Sequence, residues 1–328
     1  MTTEALSPIV SELSVQSLQS QQSLPLLVQP TDHNDFILHW PEIKKRVDKN
    51  LQTIGGILFR GFALPEEADF YRFVKQFGFE LLTYEFGSTP RTDLGKGVYT
   101  STEYPAHQTI PLHNEQAYTT QWPMKIWFHC VTPSDTGGQT PIADSRRIYQ
   151  KIDKAIRQRF EQRKLRYVRN YGNGLDLDWQ KAFNTQDKQQ VESYCRQQDI
   201  QFEWKPDGEL RTYQICQATA IHPITQEPVW FNQAHLFHIS NLETHVRETL
   251  LSIVSIADLP RNVYYGDGSE IETTILDEIR HVIHEESVYF DWQRGDVLML
   301  DNMLVAHGRA PYEGNRKVIV AMAEPYTN

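Results

Sequence analysis

Two histidines and a glutamate have the residue types and spacing of a metal site. His113 and Glu115 lie two residues apart in a proline-containing segment, and side chains at this spacing on an extended chain point the same way. His307 lies far downstream, at the end of the largely apolar segment 295–307. Two imidazoles and one carboxylate leave three positions of an octahedron open, as is typical of non-haem iron(II) centres. These residues therefore predict an iron site.

Arg316 is a candidate anchor for an anion. It follows a Gly-Asn turn at 314–315 and precedes an apolar run, so we expect it to share a strand face with Val318 and Val320. The turn also predicts a hairpin that places His307 and Arg316 on adjacent strands. An arginine directed into an apolar core is costly unless it binds an anion, and a guanidinium binds a carboxylate through two parallel hydrogen bonds. A dicarboxylate co-substrate such as 2-oxoglutarate would satisfy it.

Each of these residues also has an ordinary structural interpretation. His113 and Glu115 could form an ion pair in a loop, His307 could be a hydrogen-bonded core histidine, and Arg316 could lie on the surface. Only the combination favours a metal centre. Arg309 is open among three roles: supporting the co-substrate, pairing with an acid such as Asp301, or facing solvent.

A second histidine pair offers a rival metal site. His235 and His238 lie three residues apart, at a spacing that could place both on one side of a helical turn. Phe231 and Phe237 are close to them in the sequence, which favours core packing or the lining of a substrate pocket.

Several common catalytic motifs are missing. The sequence has no GxxxxGK[ST] phosphate loop, no GxGxxG after a predicted strand, no HExxH and no GxSxG. Nucleotide-binding, zinc-peptidase and serine-hydrolase functions are therefore excluded.

The composition is that of a globular protein with a sizeable core. The chain has 328 residues, of which 40% are hydrophobic, and a net charge of −10. An acidic protein repels phosphate groups, so we expect no nucleic-acid or membrane partner. The three cysteines are widely spaced, and the sequence has neither a signal peptide nor a long apolar segment. These features favour a cytoplasmic location, and they leave the oligomeric state open.

One folded domain is expected over residues 24–328. Residues 12–23 are rich in Ser and Gln, so we predict a flexible tail over 1–23. The polar stretch 171–199 resembles an insertion that forms a lid, and Asp176 and Asp178 near its start could bind an ammonium or guanidinium group.

The remaining elements predict a mainly β protein with peripheral helices. Amphipathic periodicity indicates helices over 66–77 and 145–163, and a capping box at 269–272 indicates a third. Short apolar or β-branched runs indicate strands over 54–59, 125–131, 212–217, 227–231, 288–292, 297–300 and 317–323. Many short strands separated by Gly, Pro and Asn favour a sandwich or barrel.

Four segments resemble the TauD/TfdA-type iron(II)/2-oxoglutarate dioxygenases: GGILFRGF (55–62), HNEQAY (113–118), GGQTPIAD (137–144), and HGR (307–309) with Arg316. This resemblance implies a distorted double-stranded β-helix, a jelly roll of the clavaminate synthase-like type. It also implies that His113, Glu115 and His307 hold iron. By the same resemblance, Thr140 and Arg316 bind the distal carboxylate of 2-oxoglutarate, with Arg309 as a further co-substrate residue.

The segments 127–131 and 230–238 look closest to SyrP-like amino-acid hydroxylases. Two positions depart from the wider family. The carboxylate is Glu115 where many members have Asp, and Val320 replaces a basic residue often found four positions after the anchoring arginine. A second substrate salt bridge at Val320 is therefore not expected.

The resemblance implies a hydroxylase that uses Fe(II), 2-oxoglutarate and O2. The predicted substrate is an amino acid of specialised metabolism, either free or tethered to a peptidyl carrier protein, with Gln116, Tyr118 and Asn232 as its contacts. Because Glu115 fills the carboxylate position, a halogenase is disfavoured. Three alternatives remain: a non-catalytic jelly-roll regulator that binds a small acid, the same oxygenase chemistry on another substrate class, and a zinc hydrolase.

Overall fold

The computed structural model describes residues 12–19, 22–83, 91–102, 104–172 and 174–327. The strands in these ranges are β1 (Leu13–Gln19), β2 (Gln22–Pro30), β3 (Gly56–Phe59), β4 (Asp93–Gly95), β5 (Val98–Thr100), β6 (Ile110–His113), β7 (Gln121–Thr132), β8 (Thr136–Gly137), β9 (Ile142–Asp144), β10 (Leu165–Tyr171), β11 (Gln201–Trp204), β12 (Leu210–Cys216), β13 (Thr219–Ile221), β14 (Pro228–Trp230), β15 (Arg261–Tyr265), β16 (Val297–Asp301), β17 (Val305–Arg309), β18 (Tyr312–Glu313) and β19 (Lys317–Thr327). The α-helices are α1 (Phe36–Ile54), α2 (Glu67–Lys75), α3 (Ser145–Lys151), α4 (Lys154–Arg163), α5 (Trp179–Ala182), α6 (Lys188–Gln197), α7 (Ala234–Phe237), α8 (Thr244–Ile253) and α9 (Thr273–Glu285). Two 3₁₀-helices cover Ile239–Asn241 and Ile256–Asp258.

Two sheets packed face to face form the centre of the molecule. The larger sheet has the strand order β1-β2-β3-β16-β7-β19-β5-β4, and the smaller has the order β6-β17-β9. Leu298 of β16 and Val320 of β19 share one apolar core with Ile142 of β9 and Val305 of β17. The two layers bury their apolar faces against each other, as a jelly roll requires. The predicted mainly β fold of this type is confirmed.

Helices cover the outer face of the larger sheet. Phe36 of α1 and Phe73 of α2 pack with Phe59 of β3, and their rings meet edge to face. The prediction for α2 is confirmed apart from its ends. Helix α1 was not predicted, although Ile43, Val47 and Leu51 are buried at helical spacing along it.

A second core lies between the sheet β11-β12-β10-β15 and several helices. Phe160 of α4 and Ile279 of α9 pack with Leu165 of β10 and Val263 of β15 in this core. The strand β10 is continuous with the start of the stretch 171–199, for which we predicted a lid. In that stretch, Trp179, Phe183 and Val191 pack with Leu210 in a smaller apolar cluster.

The prediction of a flexible tail over 1–23 is wrong for residues 13–19. Residues 1–11 lie outside the described ranges, but Leu13–Gln19 forms a strand that pairs antiparallel with β2. Leu13 and Val15 are partly buried against the core beneath the larger sheet. The strand was not predicted because the segment is rich in Ser and Gln. These polar side chains alternate with the few apolar ones along the strand.

Three other local predictions were wrong in detail. The helix predicted over 145–163 is two helices, because the chain is extended at Ile152 and Asp153 caps α4. The helix predicted to begin at the capping box 269–272 instead begins at Thr273 with Glu272 as its N-cap. The segment 288–292 forms only an isolated bridge, from Val288 to Ile142.

The predicted hairpin of His307 and Arg316 is also wrong. Strand β17 pairs with β6 and β9, whereas β19 pairs with β7 and β5 in the opposite layer. The chain crosses between the layers through β18, which pairs with β8. None of the helices in the described part of the chain is long and apolar enough to cross a membrane.

Candidate metal centre

Strands β6 and β17 bring the three predicted metal ligands together. The two strands are antiparallel, and His307 lies directly opposite His113. Glu115 follows two residues after His113, at the start of the turn that leaves β6. One ligand atom from each of the three side chains lies within 4.8 Å of those of the other two, and Glu115 and His307 are both buried. This donor set fits a single divalent iron ion.

Both imidazoles are held in the neutral form that a metal requires. Burial is the main cause that lowers the pKa of His113 and of His307. The Nδ1 atom of His113 lies 2.9 Å from the carbonyl oxygen of Pro111, to which it donates in the neutral ring. The lone pair of Nε2 is then available to a metal.

Asn302 holds the main chain of Glu115 from both sides. Its Oδ1 accepts the N–H of Glu115 at 2.7 Å, and its Nδ2 donates to the carbonyl of Glu115 at 3.0 Å and to that of Pro123 at 2.9 Å. The Asn302 side chain is completely buried. Because it lies between β16 and β17, it ties the turn that carries Glu115 to the strand that carries His307.

Arg91 forms a buried ion pair with Glu115. Its Nη2 atom lies 2.7 Å from Oε2 of Glu115, and the two side chains are only 4% and 6% exposed. A charge-assisted hydrogen bond at this distance limits the rotation of the carboxylate. The sequence offered no signal for Arg91, since it stands alone in a loop and far from the ligands along the chain.

The predicted co-substrate residues line a cavity beside these ligands. Arg316 and Thr140 share its wall with His113, His307 and Arg91. Burial lowers the pKa of Arg316 to about 10, because the charged guanidinium is poorly solvated. A carboxylate placed beside it would offset this unfavourable free energy. The Nε atom of Arg316 donates to the carbonyl of Gly138 at 2.9 Å, and Trp292 donates to Oγ1 of Thr140 at 3.0 Å.

Gly138 is needed for this contact with Arg316. Its φ is +71°, and a Cβ at this position would lie 2.3 Å from Oγ of Ser134 and 3.0 Å from Nε of Arg316. The glycine of the GGQT segment therefore lets the main chain approach the guanidinium closely.

Arg309 lines the same cavity, but its guanidinium forms hydrogen bonds to the main chain of a neighbouring loop. Its guanidinium donates to the carbonyls of Tyr104, Pro105 and Gln108 at 2.7–2.9 Å, and so it fastens the loop before β6. The alternative of an ion pair with Asp301 is not what the structure has, because Asp301 pairs with Lys125 and His222.

A second, larger cavity of about 500 Å³ also borders the ligands. Its wall includes His113, Glu115 and Tyr118, and also Phe237 and His238, for whose segment the lining of a substrate pocket was one of two interpretations. Residues that were not predicted as contacts complete it: Arg91, Gln233, Leu236 and Arg261. The volume is in the range of small-molecule sites. Leu175 and Asp176, from the predicted lid, also line it.

Only one of the three predicted substrate contacts, Tyr118, lines this cavity. Gln116 lines a separate pocket that also includes Thr119 and Gln198. Asn232 is buried, and its amide is used by its own segment, with Nδ2 donating to the carbonyl of Ala218 and Oδ1 accepting from the N–H of Ala234. Asn232 was predicted as a substrate contact because it lies in the segment 230–238 that resembles SyrP-like hydroxylases. That resemblance does not determine the direction of its side chain.

The histidine pair 235/238 serves packing and not a second metal site. A ring nitrogen of His235 lies 2.9 Å from the carbonyl of Leu112, and one of His238 lies 2.8 Å from the hydroxyl of Ser240. Burial lowers the pKa of each imidazole to about 4. His238 lines the larger cavity as a neutral group.

Comparison with known proteins gives one family for nearly the whole chain. Residues 25–322 match the model of the taurine catabolism dioxygenase TauD, TfdA family. The dapdiamide synthesis protein DdaC of Enterobacter agglomerans is 45% identical over 292 residues, which cover 89% of this chain and 87% of that protein. A clavaminate synthase-like protein of Arabidopsis thaliana is 32% identical, over 86% of this chain and 85% of that protein.

The fold is shared with solved structures at low sequence identity. PvcB of Pseudomonas aeruginosa, an Fe, alpha-ketoglutarate dependent oxygenase from an isonitrile synthetic pathway, superposes with a TM-score of 0.53 and 16% identity. The superposition covers 97% of this chain and 92% of that chain.

Proposed function

The chain belongs to the TauD/TfdA family and is an iron(II)- and 2-oxoglutarate-dependent dioxygenase, and on this basis we propose that it hydroxylates an unactivated carbon of an amino acid. The observation that carries the substrate class is the 45% identity to a protein of dapdiamide synthesis, which points to amino-acid-related biosynthesis. We place the reaction in specialised metabolism, with the amino acid either free or bound to a carrier protein.

We assign iron(II) to His113, Glu115 and His307. Their ligand atoms form one cluster, and both imidazoles are neutral. Iron(II), when bound with 2-oxoglutarate and O2, supplies the oxidising power for C–H hydroxylation. Asn302 and Arg91 keep Glu115 in place, so the ligand geometry does not depend on the metal alone.

We assign the distal carboxylate of 2-oxoglutarate to Arg316 and Thr140. Both groups line the cavity beside the ligands, and Arg316 is a partly buried cation that an anion would stabilise. Trp292 fixes the direction of the Thr140 hydroxyl, because the indole N–H occupies one of its lone pairs and the hydroxyl proton is left to donate. Arg309 supports this site through the loop that it fastens.

The substrate binds in the larger cavity in this proposal. Leu236 and Phe237 provide an apolar wall that excludes water, and Gln233 and Tyr118 provide polar groups near Glu115. The side-chain amide of Gln233 donates from Nε2 to the carbonyl of Asn114 at 2.8 Å, which ties this wall to the segment that carries His113 and Glu115.

The proposal is tested by aerobic assay of a panel of basic, acidic and neutral amino acids, free and loaded on a carrier protein. Each reaction contains iron(II), ascorbate and 2-oxoglutarate, and is scored for succinate and for a mass gain of one oxygen in the substrate. We expect at least one amino acid to be hydroxylated by the wild type. His307→Ala should form neither product, because a metal ligand is lost.

Two outcomes would contradict the proposal at different levels. Oxidation of a sulfonate or aryloxy acid, with no amino acid oxidised, would overturn the substrate class and leave the chemistry intact. Full activity of His307→Ala with iron still bound would overturn the ligand assignment.

A further inference from the structure

Gln233 joins the wall of the larger cavity to the segment that carries two of the metal ligands. Its Nε2 atom donates to the carbonyl of Asn114 at 2.8 Å. Asn114 lies between His113 and Glu115 in the sequence. Gln233 lines the same cavity as both of these ligands. A group bound at the Gln233 side chain is therefore held at a fixed place relative to the metal ligands.

The main chain of Gln233 is held as well. Its N–H donates to the hydroxyl of the buried Tyr167 at 2.8 Å. Its carbonyl accepts the N–H groups of Leu236 and Phe237 in α7, each at 3.0 Å. Only 5% of the residue is exposed. The fold thus fixes the position of the side-chain amide before any ligand binds, which lowers the entropic cost of binding at this point.

The hydrogen bond of Nε2 decides which atom of the Gln233 amide is left for a ligand. A carbonyl oxygen is bonded only by a donor, so the NH2 group must lie on the side of Asn114 and the oxygen on the other side. None of the residues that the structure describes donates to this Oε1 atom. The atom is accessible, and the accessible part of Gln233 lies in the larger cavity. The cavity therefore contains a fixed hydrogen-bond acceptor with both lone pairs open.

Two carboxylates of the same wall are already paired with arginines. Glu115 forms its ion pair with Arg91. The Oδ2 atom of Asp176 lies 3.2 Å from Nε of Arg261. A hydrogen-bond donor of the substrate would have to compete with a guanidinium at either carboxylate. At Oε1 of Gln233 it meets no such competition from the described residues.

We infer that Gln233 determines substrate specificity, with its Oε1 atom accepting a hydrogen bond from an N–H group on the α-nitrogen of the substrate. This inference rests on the proposed function and deepens it. The α-nitrogen keeps an N–H group whether the amino acid is free, carrier-bound or acylated. Leu236 and Phe237 come from the same segment and suit the carbon chain of such a molecule. Gln233 orients the substrate and takes no part in the oxidation itself.

The inference moves a predicted polar contact by one residue along the chain. Asn232 was predicted to contact the substrate, but its amide is bonded to the main chain of Ala218 and Ala234. Gln233 belongs to the same segment, 230–238, and lines the cavity. The segment thus supplies the polar contact through the side chain that the fold leaves open to a ligand.

The test compares ligands with and without an N–H group on the α-nitrogen. The protein is loaded with Mn(II) and N-oxalylglycine so that no turnover occurs, and binding is measured by calorimetry. The probes are the common L-amino acids and their N-acetyl derivatives, each paired with the form in which methyl groups replace every hydrogen on the α-nitrogen. The corresponding acid without the amino group controls for the bulk of the methyl groups. We expect the best-binding N–H form to exceed its methylated and des-amino forms at least tenfold in affinity, since they lack the hydrogen bond to Oε1.

Variants at Gln233 separate recognition of the substrate from the bond to Asn114. Gln233→Met keeps the length of the side chain but has no donor and no strong acceptor, so it should abolish the preference for the N–H form. Gln233→Glu keeps an acceptor at the position of Oε1 and should retain the preference, although its bond to Asn114 is altered.

Gln217→Met is the matched control. Gln217 is also a buried glutamine, and its Nε2 atom donates to the carbonyls of Ala117 and Thr119 at 2.9 and 3.1 Å, in the turn after Glu115. It does not line the larger cavity. The variant therefore removes hydrogen bonds from the same turn without touching the proposed contact, and its preference for the N–H form should equal that of the wild type.

Three results would overturn the inference: no N–H form that the wild type prefers tenfold, a preference that survives in Gln233→Met, or an equal loss of preference in Gln217→Met. If Gln233→Met does not fold, the wild type and Gln233→Glu decide, and loss of the preference in Gln233→Glu would contradict the role of Oε1. Hydroxylation of the same amino acids with iron(II) and 2-oxoglutarate is measured in parallel. If an amino acid is hydroxylated but N–H forms are not preferred, the inference fails and the proposed function stands.

Discussion

At the scale of single residues, the carboxylate ligand is the most constrained group in the centre. Glu115 is held through its main chain by Asn302 and through its side chain by Arg91. Such contacts commonly decide how well a ligand set binds its metal. These contacts also give Glu115 a structural role, separate from metal binding, that His113 and His307 do not have.

Replacing Glu115 should therefore destabilise the metal-free protein. Glu115→Ala removes the carboxylate opposite the buried Arg91, and breaking a buried pair in this way costs about 3–5 kcal/mol. Urea unfolding in the presence of a chelator measures the loss. The double variant Arg91→Met with Glu115→Leu should recover most of it, because both charges are removed together. A Glu115→Ala protein as stable as the wild type would show that Arg91 does not depend on this carboxylate.

A second residue-scale prediction concerns the co-substrate. Arg316→Leu keeps apolar bulk but removes the guanidinium that we assign to the distal carboxylate, an interaction of about 1.5–3 kcal/mol. We expect the KM for 2-oxoglutarate to rise at least tenfold. The measurement is succinate formation as a function of 2-oxoglutarate concentration, with Lys317→Leu on the exposed neighbour as the control. An unchanged KM in Arg316→Leu would point to Arg309 instead.

At the scale of elements, the metal centre depends on how closely β6 and β17 approach each other. The register between the strands shifts between His307 and Arg309. Gly308 lies at this irregularity, and a Cβ there would be 2.6 Å from the carbonyl oxygen of Ile110. The absence of a side chain at Gly308 lets the two histidines face each other across the strand pair.

Gly308→Ala should weaken metal binding although no ligand is changed. The added methyl group would push β6 away from β17 and move His113 relative to His307, so we expect Mn(II) affinity to fall about tenfold or more. Titration of the chelator-treated protein with Mn(II) measures this. Gly266→Ala, whose Cβ would be 2.3 Å from the carbonyl of Arg163, is the control for a clash outside the metal centre. Equal loss of Mn(II) affinity in both variants would contradict the role of Gly308.

At the scale of the whole molecule, buried neutral histidines make stability depend on pH. Burial lowers the pKa of His129, His235 and His238 to about 4, from about 6.5 in the unfolded chain. His129 stacks on Phe70, with its Nδ1 3.1 Å from the carbonyl of Asp296. Between pH 6.5 and 4 the unfolded chain binds more protons than the folded protein at these positions.

Acidification should therefore destabilise the metal-free protein. Stability supplied by these three groups is fully present above about pH 6.5 and is lost as the pH falls toward 4, by about 1.4 kcal/mol per pH unit for each group. Thermal unfolding from pH 8 to pH 5 in the presence of a chelator checks this. His129→Phe keeps an aromatic ring beside Phe70 but does not titrate, so its Tm should depend less steeply on pH. A Tm that does not fall between pH 6.5 and 5 would contradict the prediction.

The residue types and spacings in the sequence predicted much of the metal centre. Residue type and a spacing of two were enough to predict that His113 and Glu115 lie at one site, although β6 ends at His113 and Glu115 begins the turn that follows. The partial burial of Arg316 followed from the apolar strand after it. The jelly-roll class followed from many short β runs and from four segments that resemble one family. These features are local, so the order of residues determines them directly.

Contacts between distant segments were decided only by the tertiary structure. Arg91, Asn302 and Arg261 reach their partners across many residues of chain, and no spacing in the sequence relates them. The pairing of β1 with β2 and the separation of His307 and Arg316 into different sheets likewise depend on which apolar faces bury each other. Asp176 was predicted to meet an ammonium or guanidinium group of a ligand, whereas in the structure its Oδ2 atom lies 3.2 Å from Nε of Arg261, a residue of the chain itself.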